Sequence, residues 1–480
     1  MKAISIASMR HLENISGVPG PELMLRAGVE AARLIREEFL LYPDRRRIVI
    51  VTGRGNNAGD GVVAALTLAA DAALPAPVIA AVSPLEQLTG EAGVYAPMLK
   101  DARVEVTDQM DFRPGDLIVD ALFGIGLSRD IASPYAEWIN AINASGCPVA
   151  ALDLPSGLDG DTGEIHGLCV RADVTITFGL PKTGLFRNAG PAVCGRLKLA
   201  DLRIAPEITA SIPAEFETFF AEDAASLLPR LPFDAYKNSR GRLLLAAGSA
   251  RYPGAAKLAA SAALRAGAGF VRLATSAAGN FPLPVVLHED SEQELRLCLP
   301  MVDAVAAGPG WGMTPDRREQ LGILIHSGKP MVLDADALNL LAQMPGCRLP
   351  EECILTPHLG EARRLMPDLP ENRQAAARAL AEKYHCNIVL KGPQTITAAP
   401  DGCYSINSSG SPALGIAGSG DVLTGVIGAM LAAGLKAYDA ARLGVWLHGA
   451  AGESVPMRGL QADDLPDRVR QIMGKASPVC

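Results

Sequence analysis

Residues 45–65 read RRRIVIVTGRGNNAGDGVVAA, a sequence in which two apolar runs flank a corner of glycine, asparagine and aspartate. The run before the corner is typical of a strand buried on both faces, and the run after it is typical of a helix. We expect the four glycines of the corner to allow positive φ angles and a close approach of a ligand to the main chain. They are Gly53, Gly55, Gly59 and Gly61. The helix is predicted to begin near Gly61, with Asp60 as its N-cap if the corner is only a tight turn. This unit predicts an α/β fold.

The same alternation of apolar runs and polar corners continues along the chain. In the first half it recurs in GDLIVDALFG (115–124), CPVAALDLPSG (147–157) and ADVTITFGL (172–180). These runs predict a Rossmann-like, doubly wound sheet over residues 1–215, with ligands bound at the carboxyl ends of the strands. The alternation lapses in a proline-rich stretch and restarts with GRLLLAAGS (241–249). We therefore predict a second α/β domain over residues 225–475.

The composition limits the possible partners. The 480-residue chain has 44 lysine and arginine residues against 52 aspartate and glutamate residues, and its net charge of -8 argues against nucleic-acid and anionic-membrane partners. No uncharged apolar run is long enough to predict a membrane-spanning helix. The cysteines have no C-x-x-C spacing and the N-terminus has no secretory pattern, so we expect a cytoplasmic protein. We also expect a homo-oligomer.

Polar corners of the first half follow predicted strands. Asn57 lies in the corner quoted above, Asp120 ends the run GDLIVD, and Asp153 and Ser156 follow the run CPVAAL. The carboxyl ends of parallel strands meet at one edge of a sheet, where ligands collect. The side chains of Asn57, Asp120 and Ser156 could then bind a small cation through oxygen, and Asp153 could act as an acid or base. Each aspartate taken alone could instead be a helix cap or a turn residue.

The second half contains AGSGDVLTGVIGAMLAAGL at residues 417–435. Gly418, Ser419 and Gly420 precede Asp421 and a predicted helix. Free amides at the positive end of a helix dipole form an anion site. Asp421 could take a proton from a substrate hydroxyl, so this arrangement suits phosphoryl transfer to an alcohol. The alternative is a glycine-rich turn in which Asp421 is the helix N-cap.

Other corners of the second half add charged and polar side chains. Lys391 follows the run NIVL and could contact a nucleotide phosphate. His358 follows the run CILTP and could bind substrate, although a lone histidine is more often a structural residue. Asp334 and Asp336 lie in LDADALN and could bind Mg²⁺ or have a structural role.

The motifs of the first half resemble those of the YjeF N-terminal domain, the NAD(P)HX epimerase, over residues 1–210. They are PELMLRAGVEAA, NNAGDG, DALFGIGL and LDLPSGLDGDTG. The resemblance implies that Asn57, Asp120 and Ser156 bind K⁺ and that Asp153 is catalytic. It implies a substrate site comprising Asn56, Asn57, Ala58, Gly59, Asp60, Gly124, Ile125, Gly126, Leu127, Ser128, Arg129, Asp130 and Asp153. Ala58 replaces a glycine that is usual in the family, at little cost unless the residue needs a positive φ.

The motifs of the second half resemble the YjeF C-terminal domain, the ADP-dependent NAD(P)HX dehydratase of ribokinase-like fold, over residues 225–475. They are LDADALN, TPHLGE, VLKG and GSGDVLTG. The resemblance implies that the hydrated nucleotide contacts Ala255, Gly312, His358 and Asp421. It implies that ADP, with Mg²⁺, contacts Lys391, Gly392, Pro393, Gln394, Thr395 and Gly420. The chain departs from the family at Tyr236, Ser411 and Ser419, where histidine, asparagine and threonine are usual.

Together the two resemblances imply a bifunctional repair enzyme. Its substrates would be NADHX and NADPHX, which are NADH and NADPH with water added across the nicotinamide C5–C6 double bond and a hydroxyl at C6 in R or S configuration. The first domain would interconvert the epimers, and the second would dehydrate the S epimer while ADP becomes AMP and phosphate.

Two alternatives remain at the level of sequence. The second domain could be a vitamin-precursor kinase of the same fold, but an attached epimerase-like domain argues against an unrelated substrate. The first domain could be a non-catalytic binding module, but the presence of both Asn57 and Asp153 argues against that function.

Overall fold

The computed structural model describes residues 1–41, 44–230, 233–234, 239–282, 284–455 and 458–476. The chain divides into two compact units, Met1–Phe216 and Glu217–Cys480. Each unit contains a sheet whose strands are mainly parallel, which confirms the prediction of an α/β fold. Tyr236, one of the positions that depart from the family pattern, lies outside the described residues.

The first unit is an alternation of strands and helices. Its strands are β1 (Lys2–Ala3), β2 (Arg47–Thr52), β3 (Val78–Ala81), β4 (Glu105–Thr107), β5 (Asp116–Ala121), β6 (Val149–Leu152), β7 (Val174–Phe178) and β8 (Arg196–Ala200). Its helices are α1 (Ile6–Ile15), α2 (Gly20–Leu40), α3 (Asn56–Ala69), α4 (Ala92–Tyr95), α5 (Tyr135–Ala144), α6 (Gly190–Val193) and α7 (Pro206–Ser211). The parallel sheet has the order β4-β3-β2-β5-β6-β7-β8. The chain winds outward in both directions from β2 and β5, and this reversal point is where a doubly wound sheet opens a ligand crevice.

Strand β2 is apolar at residues 48–51 because both faces of the sheet are covered. Ile48 and Ile50 pack into one hydrophobic cluster, and Val49 and Val51 pack into another that includes Trp138. Alternate residues of a strand point to opposite faces, so a strand covered on both sides needs an unbroken apolar run. Polar chemistry is thereby confined to the strand ends.

Helix α3 begins earlier than the sequence predicts. It starts at Asn56 with Gly55 as its N-cap, whereas the predicted start was near Gly61. Asp60 therefore lies buried inside the helix and does not cap it. The expectation of positive φ angles is also wrong, because none of the four glycines in this corner has one.

Three of those glycines serve close packing within the unit. A Cβ atom added to Gly53 would lie 2.4 Å from the carbonyl oxygen of Leu122. Gly59 and Gly61 are similarly crowded, by the sulfur of Met24 at 2.6 Å and by the side chain of Ala121 at 2.8 Å. Only Gly55 has open space where a side chain would be. The glycines thus allow α3 to lie close to its neighbours.

The second unit is larger. Its strands are β9 (Phe216–Phe219, which begins at the boundary), β10 (Arg242–Ala246), β11 (Phe270–Thr275), β12 (Val285–Glu289), β13 (Ala304–Ala307), β14 (Met331–Leu333), β15 (Cys353–Leu355), β16 (Asn387–Leu390), β17 (Ile396–Ala398) and β18 (Tyr404–Asn407). Its helices are α8 (Ala221–Leu227), α9 (Pro253–Arg265), α10 (Glu292–Cys298), α11 (Pro315–His326), α12 (Ala335–Leu341), α13 (Leu359–Leu365), α14 (Arg373–Tyr384), α15 (Ser419–Ala432), α16 (Ala437–Glu453) and α17 (Leu465–Ala476). These strands follow the order β9-β18-β17-β16-β15-β14-β13-β10-β11-β12. Strand β17 is antiparallel to both of its neighbours, and the other pairs are parallel.

Small residues determine how closely α15 packs in this unit. A Cβ atom on Gly425 would lie 2.2 Å from the carbonyl oxygen of Ala259 in α9, and one on Gly428 would lie 3.1 Å from the side chain of Leu243 in β10. The buried face of α9 consists largely of alanine. In the described part of the chain, no helix combines the length and apolar character that a membrane span requires.

We expect Gly425→Ala to destabilise the second unit by about 1–3 kcal/mol, because the added methyl group forces α15 away from α9. Calorimetry of the full chain should show a lower transition temperature for this unit. Gly474→Ala in α17 is the matched control, since nothing lies within 4 Å of its added Cβ and alanine favours a helix. Equal effects of the two substitutions would contradict the close-packing argument.

Candidate functional sites at two sheet edges

The carboxyl ends of four neighbouring strands meet at one edge of the first sheet. Asn57 lies in the first turn of α3 after β2, and Asp120 is the penultimate residue of β5. Asp153 follows β6, and Lys182 follows β7. Because β2, β5, β6 and β7 are adjacent and parallel, these side chains come from distant parts of the chain to one corner.

Asp120 is a fully buried carboxylate whose hydrogen-bond donors are all uncharged. Its Oδ1 accepts from the hydroxyl of Ser156 at 2.7 Å and from the N–H of Leu122 at 3.2 Å. Its Oδ2 accepts from the N–H of Ser156 at 2.8 Å. Burial raises the pKa of Asp120 to about 6, although these hydrogen bonds oppose the rise. A bound cation would stabilise the ionised carboxylate at this position.

Asn57 supplies a second oxygen to this corner. Its Nδ2 donates to the carbonyl oxygen of Leu152 at 3.2 Å, which fixes the orientation of the amide. Its Oδ1 is buried and has no hydrogen-bond partner. A buried carbonyl oxygen without a partner is costly, and a cation would satisfy it. The donor set of Asn57, Asp120 and Ser156 therefore fits a hard cation that prefers oxygen ligands.

Asp153 is held in an unusual conformation. Its φ of 63° is left-handed, and its N–H donates to the carbonyl oxygen of Ile176 at 2.7 Å. Oδ1 accepts from Nζ of Lys182 at 2.5 Å and from the N–H of Phe178 at 3.3 Å. Oδ2 faces Gly124, where an added Cβ would lie 3.4 Å from it and 3.5 Å from Oδ1 of Asn57. The absence of a side chain at Gly124 thus leaves space beside Oδ2.

The remaining residues of the predicted substrate site lie in different environments. Ala58 lies inside α3 and needs no positive φ, so its departure from the family pattern carries no backbone strain. Burial and the nearby charge of Asp153 raise the pKa of Asp60 well above its usual value. Asn56 donates from Nδ2 to Glu91. The loop that begins at Gly124 continues with Ile125, Gly126 and Leu127 and then with the exposed Ser128, Arg129 and Asp130.

The second site lies at the N-terminus of α15. The helix begins at Ser419, and Gly418 is its N-cap with a φ of 90°, a conformation that favours glycine. Asp421 therefore belongs to the first turn, and the alternative that it is the N-cap is wrong. The first N–H groups of an α-helix have no partner inside the helix, so those of Gly420 and Asp421 can bind an anion. Burial and the charge of Asp334 raise the pKa of Asp421 to about 7, although Lys391 opposes the rise.

Lys391 lies beside this helix N-terminus in a buried network. Its Nζ lies 2.6 Å from Oδ1 of Asp334, and Oδ2 of Asp334 accepts from the hydroxyl of Thr424 at 2.8 Å. A Cβ atom added to Gly420 would lie 3.6 Å from the Lys391 nitrogen. Burial alone would lower the pKa of Lys391, but Asp334 and Glu361 outweigh it and raise the value. A charged ammonium group therefore faces the amides of α15.

The two aspartates that were candidates for Mg²⁺ both contact protein groups. Asp334 binds Lys391 and Thr424 as described, and Asp336 accepts from the N–H of Gly312 at 2.7 Å. Gly312 has a φ of 94° and open space beside its Cα. Each aspartate thus has a protein partner in the structure, and Mg²⁺ binding by either of them stays a prediction.

His358 caps helix α13 and has an exposed side chain. Its Nδ1 accepts from the N–H groups of Gly360 at 2.9 Å and Glu361 at 3.3 Å, so the residue caps α13. The proton of the neutral ring is then on Nε2, which lies 3.5 Å from Oε1 of Glu361, and the side chain is 54% exposed. His358 can therefore cap the helix and donate a hydrogen bond to a ligand.

The remaining predicted nucleotide contacts form the turn between β16 and β17. This turn comprises Lys391, Gly392, Pro393, Gln394 and Thr395. Gly392 and Gln394 have φ angles of 143° and 47°, and the hydroxyl of Thr395 donates to the carbonyl oxygen of Gly392 at 3.0 Å. Arg373 donates to the carbonyl oxygen of Pro393. Ala255 lies in the first turn of α9, and Gly310 packs against it.

Sequence reasoning missed Lys182 and Thr424, which touch Asp153 and Asp334. Lys182 lies two residues after the predicted strand run ADVTITFGL, which ends at Leu180. The sequence signal for Lys182 is the corner GLPKTG, in which a lysine lies between two glycines after a strand. Thr424 lies on a helix and gives no comparable signal, because its role depends on which strand end it faces.

The chain has two α/β units, and each has a buried acidic group at the carboxyl edge of its sheet. This arrangement defines a two-domain α/β enzyme. Residues 20–184 match the family model described as YjeF-related protein N-terminus, and residues 243–473 match the model described as NAD(P)H-hydrate dehydratase. A ribokinase-like superfamily protein from Enterococcus faecalis has a TM-score of 0.50 and 24% identity to this chain. The match covers 55% of this chain and 96% of that one and shows a shared fold.

Curated relatives match nearly the whole chain. The bifunctional NAD(P)H-hydrate repair enzyme Nnr of Coxiella burnetii is 35% identical over 97% of this chain and 98% of its own length. The Escherichia coli K12 protein of the same name is 35% identical over 97% of this chain and 92% of its own. The chain belongs to the family of bifunctional NAD(P)H-hydrate repair enzymes. The alternative of a vitamin-precursor kinase is not favoured.

We expect Gly420→Val to weaken the binding of ADP by at least about tenfold, a loss of roughly 1.4 kcal/mol. The added side chain would point toward Lys391 and fill the space in front of the helix amides. Calorimetric titration of the full chain measures the affinity. Gly322→Val in α11 is the control, because an added Cβ there meets nothing within 4 Å. If Gly420→Val bound ADP as wild type does, the anion site would lie elsewhere.

Proposed function

We propose that the chain regenerates NADH and NADPH from their hydrates in two steps. Residues 1–215 interconvert the R and S epimers, and residues 225–475 dehydrate the S epimer with conversion of ADP to AMP and phosphate. The observation that carries this proposal is the position of Asp421 in the first turn of α15, beside the Lys391 ammonium group. This arrangement provides a base for a hydroxyl and positive charge for phosphoryl oxygens at one place.

Dehydration needs a better leaving group than hydroxide. Asp421 accepts the proton of the C6 hydroxyl as that oxygen attacks the β-phosphorus of ADP, and AMP leaves. The resulting phosphate ester then breaks its C6–O bond, assisted by the lone pair of the ring nitrogen, and loss of the C5 proton restores the double bond. The amides of Gly420 and Asp421, with Lys391, stabilise the charge on the transferred phosphoryl group. His358 can donate a hydrogen bond from Nε2 to the bound hydrate.

Epimerisation needs the C6 hydroxyl to leave one face of the ring and return to the other. In its protonated form, Asp153 donates a proton through Oδ2 to the departing hydroxyl, and the ring nitrogen stabilises the resulting cation. The planar ring then turns its other face toward Asp153, and Oδ2 of the carboxylate accepts a proton from the water that adds to that face, which restores the starting state. In this proposal the ring lies beside Oδ2, next to Gly124.

We assign a K⁺ ion to the first unit and a Mg²⁺ ion to the nucleotide of the second. Asn57, Asp120 and Ser156 would hold K⁺, supported by the buried, unpartnered oxygen of Asn57 and the buried carboxylate of Asp120. K⁺ would supply positive charge that fixes the corner next to Asp153. Mg²⁺ would enter with ADP, with phosphate oxygens among its ligands, since Asp334 and Asp336 contact protein groups.

We further propose that the enzyme acts in the cytoplasm on small molecules. Free cysteines support a reducing compartment, and those described are Cys147, Cys169, Cys194, Cys298, Cys347, Cys353, Cys386 and Cys403. The net charge of -8 supports the absence of a nucleic-acid or anionic-membrane partner. Assembly as a homo-oligomer stays a prediction that sedimentation can test.

We expect Asp421→Asn to lower the rate of ADP-dependent dehydration by roughly 10²–10⁴-fold, because the amide cannot accept the hydroxyl proton. In wild type the rate should rise with pH through about 7, as the Asp421 carboxyl group loses its proton. NADH absorbance from S-NADHX and ADP measures both. The variant should retain epimerisation, followed by chromatographic separation of the epimers. Dehydration at a wild-type rate in the variant would exclude Asp421 as the base.

We expect Asp153→Asn to stop the conversion of a mixed-epimer sample once the S form is consumed. Wild type should convert all of the hydrate, because its first unit supplies S from R. Mixing the full-length Asp153→Asn and Asp421→Asn proteins should restore complete conversion, since each retains the site that the other lacks. Complete conversion by Asp153→Asn alone at the wild-type rate would assign epimerisation to another residue.

A further inference from the structure

Lys182 is one of the largest fully buried side chains of the described residues, with 1% of the side chain exposed. Its backbone is fixed on both sides. The N–H of Ile4 donates to the carbonyl oxygen of Pro181 at 2.9 Å, and the N–H of Thr183 donates to the carbonyl oxygen of Ile4 at 3.1 Å. The residue therefore sits at a rigid point after β7.

The ammonium group of Lys182 has specific partners. Nζ donates to Oδ1 of Asp153 at 2.5 Å and to the carbonyl oxygen of Phe178 at 2.8 Å. A lysine is rarely buried to this degree unless it is paired, because desolvation of the charge is costly. A pair of leucines would fill the same space at lower cost, so stability alone does not account for these two charges.

This ion pair makes the two oxygens of Asp153 different from each other. Oδ1 is occupied by Lys182 and by the N–H of Phe178, while Oδ2 lies beside Gly124, 3.4 Å from the position of an added Cβ. A carboxylate fixed through one oxygen cannot rotate to exchange the two. The left-handed backbone of Asp153 gives further evidence that its direction is constrained by the surrounding structure.

We propose that Lys182 is a positioning residue for epimerisation, which binds Oδ1 of Asp153 so that Oδ2 alone exchanges protons with the substrate. The lysine also balances the charge of Asp153 each time the carboxyl group gives up its proton. Lys182 acts through Asp153 and does not contact the substrate itself. This inference rests on the proposed epimerase function of the first unit.

Four variants of the full chain test the role of Lys182. Lys182→Met removes the charge and keeps the length of the side chain, and Lys182→Arg keeps the charge. Comparison of Asp153→Asn with the double variant Asp153→Asn/Lys182→Met measures the effect of Lys182 on the rate when the Asp153 carboxylate is absent. The matched control is Lys198→Met on β8, a lysine of the same unit that lies 2.9 Å from the buried Glu38.

The measurement is the steady-state rate of R to S conversion of NADHX, at enzyme concentrations high enough to exceed the spontaneous rate. We expect Lys182→Met to lower kcat by about 10²-fold with little change in KM, since misplacement of a catalytic group has an effect of this order. Lys182→Arg should recover part of kcat, and Lys198→Met should match wild type. In the Asp153→Asn background, Lys182→Met should cause no further loss, because the group it positions is already absent.

Each other outcome has a distinct meaning. A wild-type kcat in Lys182→Met, or an equal loss of rate with and without the Asp153 carboxylate, would overturn the positioning role and leave Lys182 a structural residue. If Lys182→Met loses the calorimetric transition of the first unit, that variant is unfolded and Lys182→Arg becomes the test. Lys182→Arg should lower kcat at an unchanged transition temperature. An unchanged kcat in Lys182→Arg would then contradict the proposal. A wild-type protein that does not interconvert the epimers would refute the proposed function instead.

Discussion

Burial of parallel strands on both faces is the constraint on which the structure of each unit depends. Strand β5 has no exposed residue, and β2 is buried from its second residue onward. Such strands cannot carry reactive side chains in their middle, so polar groups collect where the strands end. Asn57, Asp120 and Asp153 are brought together for this reason, and so are Asp334 and Lys391 in the second unit.

The buried carboxylates at these edges are stabilised in different ways, and their chemistry follows from the difference. Asp153 and Asp334 each have a lysine ammonium group within 2.6 Å. Asp120 has only a hydroxyl and backbone amides, and burial raises its pKa to about 6. Burial and the negative charge of Asp334 raise the pKa of Asp421 to about 7, although the nearby Lys391 opposes the rise. The lysine partners thus fix the orientation of Asp153 and Asp334. The uncharged donors around Asp120 leave its negative charge available to a cation, and the raised pKa of Asp421 suits it to proton transfer near neutral pH.

Glycines at the two corners have different physical roles, which explains why one prediction failed. Gly53, Gly59 and Gly61 allow close packing and have ordinary φ angles, whereas Gly418 has a φ of 90° and ends the turn before α15. Both roles produce the same glycine-rich pattern in a sequence. The pattern therefore predicted that a helix follows each corner, but it did not predict where α3 begins.

The sequence by itself determined the α/β class and the buried strands whose ends carry the polar corners, because unbroken apolar runs and glycine-rich turns depend on local residues. It also determined that Asn57, Asp120, Asp153 and Asp421 lie at strand ends or at a helix start. Only the tertiary structure decided which side chains meet there. Lys182 lies 29 residues from Asp153 and Thr424 lies 90 residues from Asp334. Such pairs depend on strand order and on the direction of each side chain, and no local pattern encodes either.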